Sequence, residues 1–143
     1  MPAGYSGTPL VKKLGIKEDF QVALVGAPGG FRTELEGLPA RVSFVTSVQS
    51  QLDFIMFFAK TRVELSANFS RLAARLKPVG MLWIAWPKKA SGVATDLSDG
   101  VVRQIGLDAG LVDVKVCAVN EVWSGLKFVI RVKDRPRVSR ENE

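Results

Sequence analysis

A buried, mostly parallel sheet between helical layers, closed by an antiparallel hairpin, is the arrangement that this 143-residue sequence predicts. Three features point to it. Short apolar runs rich in Val, Ile and Phe recur with turn signals between them, as strands covered on both faces require. Segments with helical spacing alternate with these runs, the signature of an α/β chain. The last two runs, by contrast, lie back to back across a tight, polar turn, which suits a hairpin. The fold class is therefore α/β, a three-layer sandwich.

Residues 1–9, with Pro2, Gly4, Gly7 and Pro9, read as an irregular arm, and Leu10 to Leu14 as a helical turn stopped by Gly15. Phe20 to Val25 is the first strand, broken only by Gln21. Gly26-Ala-Pro-Gly-Gly30 forces a turn, and Phe31 to Glu36 can form a short helix before Gly37 and Pro39 end it. Arg41 to Val45 alternates polar and apolar residues as a second strand, and Phe54 to Ala59, entered through Leu52 and Asp53, is a wholly apolar third.

From Thr61 the period changes: Leu65, Phe69, Leu72 and Leu76 share one helical face, and Lys77, Pro78 and Gly80 read as the end of that helix. Met81 to Trp86 is the next strand, stopped by Pro87. A polar loop follows, in which Asp96 or Ser98 can cap a helix through Val101, Val102, Ile105 and Leu107 that ends near Gly110. Leu111 to Val119 and Leu126 to Val132 form the hairpin. The organisation expected is an arm and short helix over 1–19, one α/β domain over 20–132, and a flexible charged tail over 133–143.

Composition narrows the chemistry. The chain has no histidine, which excludes the usual zinc site, a Ser-His-Asp triad and a Cys-His dyad, so no metal site is expected. Its one cysteine, Cys117, sits in an apolar run and reads as a small packed hydrophobe. No apolar run approaches the roughly 20 residues needed to span a bilayer, and no hydrophobic signal opens the chain, which predicts a cytoplasmic protein. The net charge of +6 allows an anionic partner.

In an open α/β sheet, ligands bind where loops leave the carboxyl ends of the strands. Candidate ligand-binding residues are therefore Gly26, Gly29 and Gly30 after the first strand, and Trp86, Lys88, Lys89, Ser91, Thr95 and Asp96 after the fourth. The lysines and hydroxyls suit an anion; helix capping by Thr95, Asp96 and Ser98 is the plainer account of the same residues. Trp83 and Trp86, three apart, should point to opposite faces of their strand.

The helix end Leu76-Lys-Pro-Val-Gly80, the strand Met81 to Trp86, a further helix and a terminal hairpin resemble the second half of the class I S-adenosylmethionine-dependent methyltransferase fold, over about residues 53 to 132. The resemblance implies a Rossmann-like topology in which a reversed final strand enters a parallel sheet. Across nearly the whole chain, Tyr5-Ser-Gly-Thr-Pro-Leu10, Lys12-Lys-Leu-Gly-Ile16, Trp83-Ile-Ala-Trp-Pro-Lys-Lys89 and Trp123-Ser-Gly-Leu-Lys-Phe128 are similar to an uncharacterised bacterial family known only as a domain of unknown function. That likeness implies a fold and a bacterial source, and it supplies no activity.

Two departures from the methyltransferase pattern shape the functional expectation. Pro28 removes a backbone donor from the glycine turn, and the second strand runs into Thr46-Ser-Val-Gln-Ser50, without the carboxylate that holds ribose hydroxyls in such enzymes. The expectation is a non-catalytic binding or regulatory domain with no catalytic residues and no cofactor, contacting an anionic small molecule or an acidic protein surface at the strand-end crevice. The alternatives are an S-adenosylmethionine-dependent, methyltransferase-like enzyme using Asp96, Glu121 or Lys88 as acid or base, and a weak nucleic-acid binder. Basic residues interleaved with exposed aromatics are wanting, so nucleic acid is not the expected partner. A homodimer through the terminal hairpin remains open.

Overall fold

The structure, a computed structural model, describes residues 8–49 and 51–135. Strands β1 (Gln21–Val25), β2 (Ser43–Phe44), β3 (Leu52–Phe58), β4 (Leu76–Pro87), β5 (Leu111–Ala118) and β6 (Trp123–Ile130) form one sheet in the order β2-β1-β3-β4-β6-β5. The first four run parallel; β6 is antiparallel to both β4 and β5. The hairpin thus inserts its second strand beside β4 and leaves β5 at the edge. The expected α/β, Rossmann-like sandwich with a mostly parallel sheet is what the chain forms.

The two faces are covered unequally. Helices α2 (Arg62–Ala73) and α3 (Asp99–Asp108) pack Leu65, Phe69, Leu72 and Val102 onto one face, against Ile55, Phe57, Leu82, Ile84, Trp86, Leu126 and Phe128. Both helices start with a side-chain cap: Thr61 Oγ1 accepts from the Glu64 N–H at 3.0 Å, and Ser98 Oγ accepts from the Val101 N–H at 3.3 Å. The other face is covered by α1 (Leu10–Leu14), a 3-10 turn at Phe31–Glu34 and irregular chain, over Phe54, Met56, Phe58, Met81, Trp83 and Trp123. Trp83 and Trp86 do lie on opposite faces, and both are buried.

Two sequence expectations change in detail. The helix expected over Phe31 to Glu36 is only a 3-10 turn, because Gly30 enters it in the left-handed region and Leu35 leaves the helical region at φ −91°, ψ 73°. Leu76 to Gly80, expected as the end of α2, is the first part of a 12-residue β4. Leu76 pairs with Leu52, whereas Met81 pairs with Phe54, so the ladder carries a bulge across Pro78 and Gly80. The proline is tolerated at this irregularity. Gly80 is required there: a Cβ would stand 2.8 Å from the Leu52 carbonyl oxygen.

Candidate functional site at the strand ends

Because β1 to β4 are parallel, their carboxyl ends share one rim. β2 lies on one side of β1 and β3 on the other, so the chain leaves β1 in one direction and enters β3 in the opposite one. That is a topological switch point, where open α/β sheets place their ligands. Gly26 to Gly30 leaves β1 at this point. Gly26 sits at φ +70°, and a Cβ on it would lie 3.1 Å from the Phe58 carbonyl oxygen at the end of β3. The turn can therefore close against β3 only with glycine.

Gly29 and Gly30 are exposed, and nothing lies within 4 Å of the position a Cβ would take on either. Among the described residues their N–H groups donate to no acceptor. They are free donors at the switch point. Pro28 lacks an N–H; its carbonyl accepts from Phe31 N and closes the turn.

Lys88 and Lys89 stand on the same rim, where β4 ends, two strand spacings or about 10 Å from β1. The remaining polar residues of that loop are engaged in holding it. Ser91 Oγ donates to the Lys88 carbonyl at 2.6 Å and accepts from the Val93 N–H. Thr95 Oγ1 donates to the Lys60 carbonyl at 2.6 Å and accepts from the Leu97 N–H. Asp96 Oδ1 accepts from the Arg62 N–H at 2.8 Å, so it caps the helix that follows β3 rather than its own. Trp86 is 5% exposed within the helix-covered core. Of the nine candidates, the three glycines and two lysines face outward on the rim, while Ser91, Thr95, Asp96 and Trp86 build its support.

The sequence reading missed the wall between the two loops. Phe31, Phe58 and Trp123 stack edge to face, with centroids 4.9 and 5.1 Å apart, and together they floor the rim. Asn120, in the β5–β6 turn, accepts at Oδ1 from the N–H groups of Val122 and Trp123, and its Nδ2 donates to Glu34 Oε1 at 3.0 Å. This bridge joins residues 86 apart in sequence, and no local pattern announces it. Among the described residues, no group of three or more Cys, Asp or Glu side chains could hold a metal ion, and no helix is long and apolar enough to cross a membrane.

The fold places this rim in known company. No family model matches the chain, and no curated protein does. Solved structures do. A SAM-dependent methyltransferase from Aquifex aeolicus aligns with a TM-score of 0.61 at 20% identity, over 85% of this chain and 88% of that one. Magnesium protoporphyrin IX methyltransferase from Synechocystis PCC 6803, with bound SAM, aligns with a TM-score of 0.57 at 14% identity, over 85% and 74%. The O-methyltransferase NcsB1 of neocarzinostatin biosynthesis, in complex with SAM and 2-hydroxy-5-methyl naphthoic acid, aligns with a TM-score of 0.58 at 13% identity, over 78% and 48%. The chain has the methyltransferase fold.

These matches correct two expectations drawn from the sequence, that of a non-catalytic domain and that of no cofactor. All three structures are methyltransferases, and two of them hold S-adenosylmethionine. The expectation rested on the proline in the glycine turn and on the carboxylate missing after β2, and neither departure prevents the fold. Gly29 and Gly30 keep unengaged N–H groups at this rim.

Proposed function

We propose that the chain is an S-adenosylmethionine-binding, methyltransferase-like enzyme whose cofactor site lies at the rim between β1 and β3. The observation that carries this reading is the glycine turn at the switch point, open to solvent and with two unengaged N–H groups. Donors of that kind suit the carboxylate end of an amino-acid-bearing cofactor. When bound, S-adenosylmethionine supplies an electrophilic methyl group to an acceptor nucleophile.

The fit is through backbone and shape. Glycine at position 26 lets the turn approach β3, Phe58 and Trp123 keep the floor apolar, and Lys88 and Lys89 set a positive potential that would draw an anionic acceptor. After β2 the chain offers the hydroxyls of Thr46 and Ser47 and no carboxylate, so the sugar would be held by weaker, neutral hydrogen bonds. Modest affinity follows. Asp96 is committed to the Arg62 N–H and is not offered as an acid or base.

Isothermal titration with S-adenosylmethionine and S-adenosylhomocysteine tests this directly. Saturable binding of both is expected, weakened at least tenfold, or about 1.4 kcal/mol, by Gly29→Val. Residue 29 is the right place to probe, since the fold leaves open space for a side chain there. Absence of binding by either ligand, or equal binding by the variant, would remove the proposal.

A further inference from the structure

A second site stands away from the rim, on the thinly covered face where α1 meets the hairpin. Lys127 lies in the middle of β6, flanked on one side by Trp83 of β4 and on the other by Lys115 of β5. Two lysines directly opposite across an antiparallel ladder have Cβ atoms only about 4.5 to 5.5 Å apart, and like charges so placed are destabilising. The arrangement is also not the default register. Val112 pairs with Val129 and Asp113 with Phe128, so an unbroken ladder would set Val114 opposite Lys127; an irregularity at Val114 brings Lys115 there instead. Bulges are a means of re-aiming a side chain.

The surroundings add positive charge and no negative charge. Lys115 Nζ donates to the Lys13 carbonyl at 2.8 Å, and Lys13 Nζ donates to the Ala118 carbonyl at 3.1 Å, which ties α1 to β5. Lys17 is close enough to disfavour the charge on Lys127, as Lys115 does, after burial itself. The ion pairs among the described residues are Arg41 with Glu18 and Asp19, Lys77 with Asp53, and Arg103 with Asp113, all elsewhere. The half-buried ammonium of Lys127 has no hydrogen bond or ion pair among the described residues.

Gly15 connects this lysine to a groove. Lys127 Nζ is 3.8 Å from the position a Cβ on Gly15 would occupy. Gly15, Ile16 and Lys17 also line an open groove of about 360 Å³ whose other walls are Pro9, Val11, Lys12, Gly37 and Pro39. A groove with an apolar floor and lysines at its edge suits a small molecule with one anionic end.

We propose that Lys127, Lys115 and Lys17 form a binding site for a phosphate-class dianion, with the adjoining groove taking the uncharged part of a phosphorylated small molecule. A dianion would offset the repulsion that the bulge builds in, and lysine serves phosphate as a point charge. The site is separate from the cofactor rim and does not depend on it.

Isothermal titration with inorganic phosphate and with adenosine monophosphate, at constant low ionic strength, decides the matter. Saturable binding of phosphate is expected, weakened at least tenfold by Lys127→Met and by the milder Lys17→Gln, and unchanged by Arg71→Gln on α2, across the sheet. Tighter binding of the nucleotide than of phosphate, lost in Lys127→Met, assigns the groove to an organic phosphate; equal binding assigns the site to the free anion. Thermal melts without phosphate guard against a folding defect, because Lys127→Met is expected to melt no lower than wild type. No saturable heat at up to about 10 mM phosphate, or an equal loss in Arg71→Gln, overturns the proposal.

Discussion

The two faces of the sheet are built on different terms. One is sealed by α2 and α3, each begun by a side-chain cap and each laying an apolar stripe on the strands. The other is roofed by a five-residue helix, a single 3-10 turn and loops, and relies on large aromatics and isolated anchors. One such anchor is the Trp83 indole N–H, which donates to the Leu14 carbonyl at 2.9 Å from a fully buried position. The glycine turn and the lysine site both border the second face. Stability is concentrated where the layers are regular, and accessible chemistry is left where the cover is thin.

Matched truncations on the two faces would test that contrast most strongly. Phe69 and Phe31 are both fully buried and both stack edge to face, Phe69 on Phe128 and Phe31 on Phe58. Phe69→Ala is expected to cost about 3 to 5 kcal/mol in chemical denaturation, because the rigid helix above it cannot collapse into the void. Phe31→Ala should cost about half as much, since the 3-10 turn can settle inward. Equal losses would mean that the thin face is as rigid as the other.

A smaller effect should separate global from local stability. Trp83→Phe strands the Leu14 carbonyl without its donor, a loss of about 1 to 3 kcal/mol. Hydrogen exchange is the discriminating measurement: amides near Val11 and Leu14 should lose protection first, while those of α2 and α3 keep theirs. Uniform loss would show that α1 is not an independent unit.

The smallest effect concerns pH. Burial, then Lys115 and Lys17, hold the Lys127 ammonium below the ordinary lysine pKa. The unfolded chain therefore binds that proton more tightly, and stability rises as pH climbs from the lowered folded value towards the ordinary one. Burial pushes the Cys117 thiol up, which works in the opposite sense. The difference between wild type and Lys127→Met isolates the lysine: denaturation midpoints from pH 8 to 10 should rise more in wild type. Parallel profiles would show that Lys127 is not strained.

How much of this was legible in the sequence depended on the range of each interaction. The apolar run of β3, the helical stripe of Leu65, Phe69 and Leu72, and the proline that ends β4 declare themselves locally, so the sheet and its rim could be read in advance. Leu76 to Gly80 was misread because proline and glycine usually terminate; here they serve a bulge that exists only once β3 lies alongside. At the site, the glycine turn and Lys88 and Lys89 were legible as exit loops. The partner of Asp96 is the backbone of Arg62, 34 residues away, and nothing near Asp96 distinguishes that from capping its own helix. Nothing local marks Lys115 and Lys127, since their opposition is a matter of register.

The reciprocal bonds between Lys13 and the edge strand have a consequence for assembly. They span 102 and 105 residues, so these two ties of α1 form only once the hairpin is made, whereas its Trp83 anchor needs only β4. Full cover of the thin face therefore depends on segments from opposite ends of the fold having met.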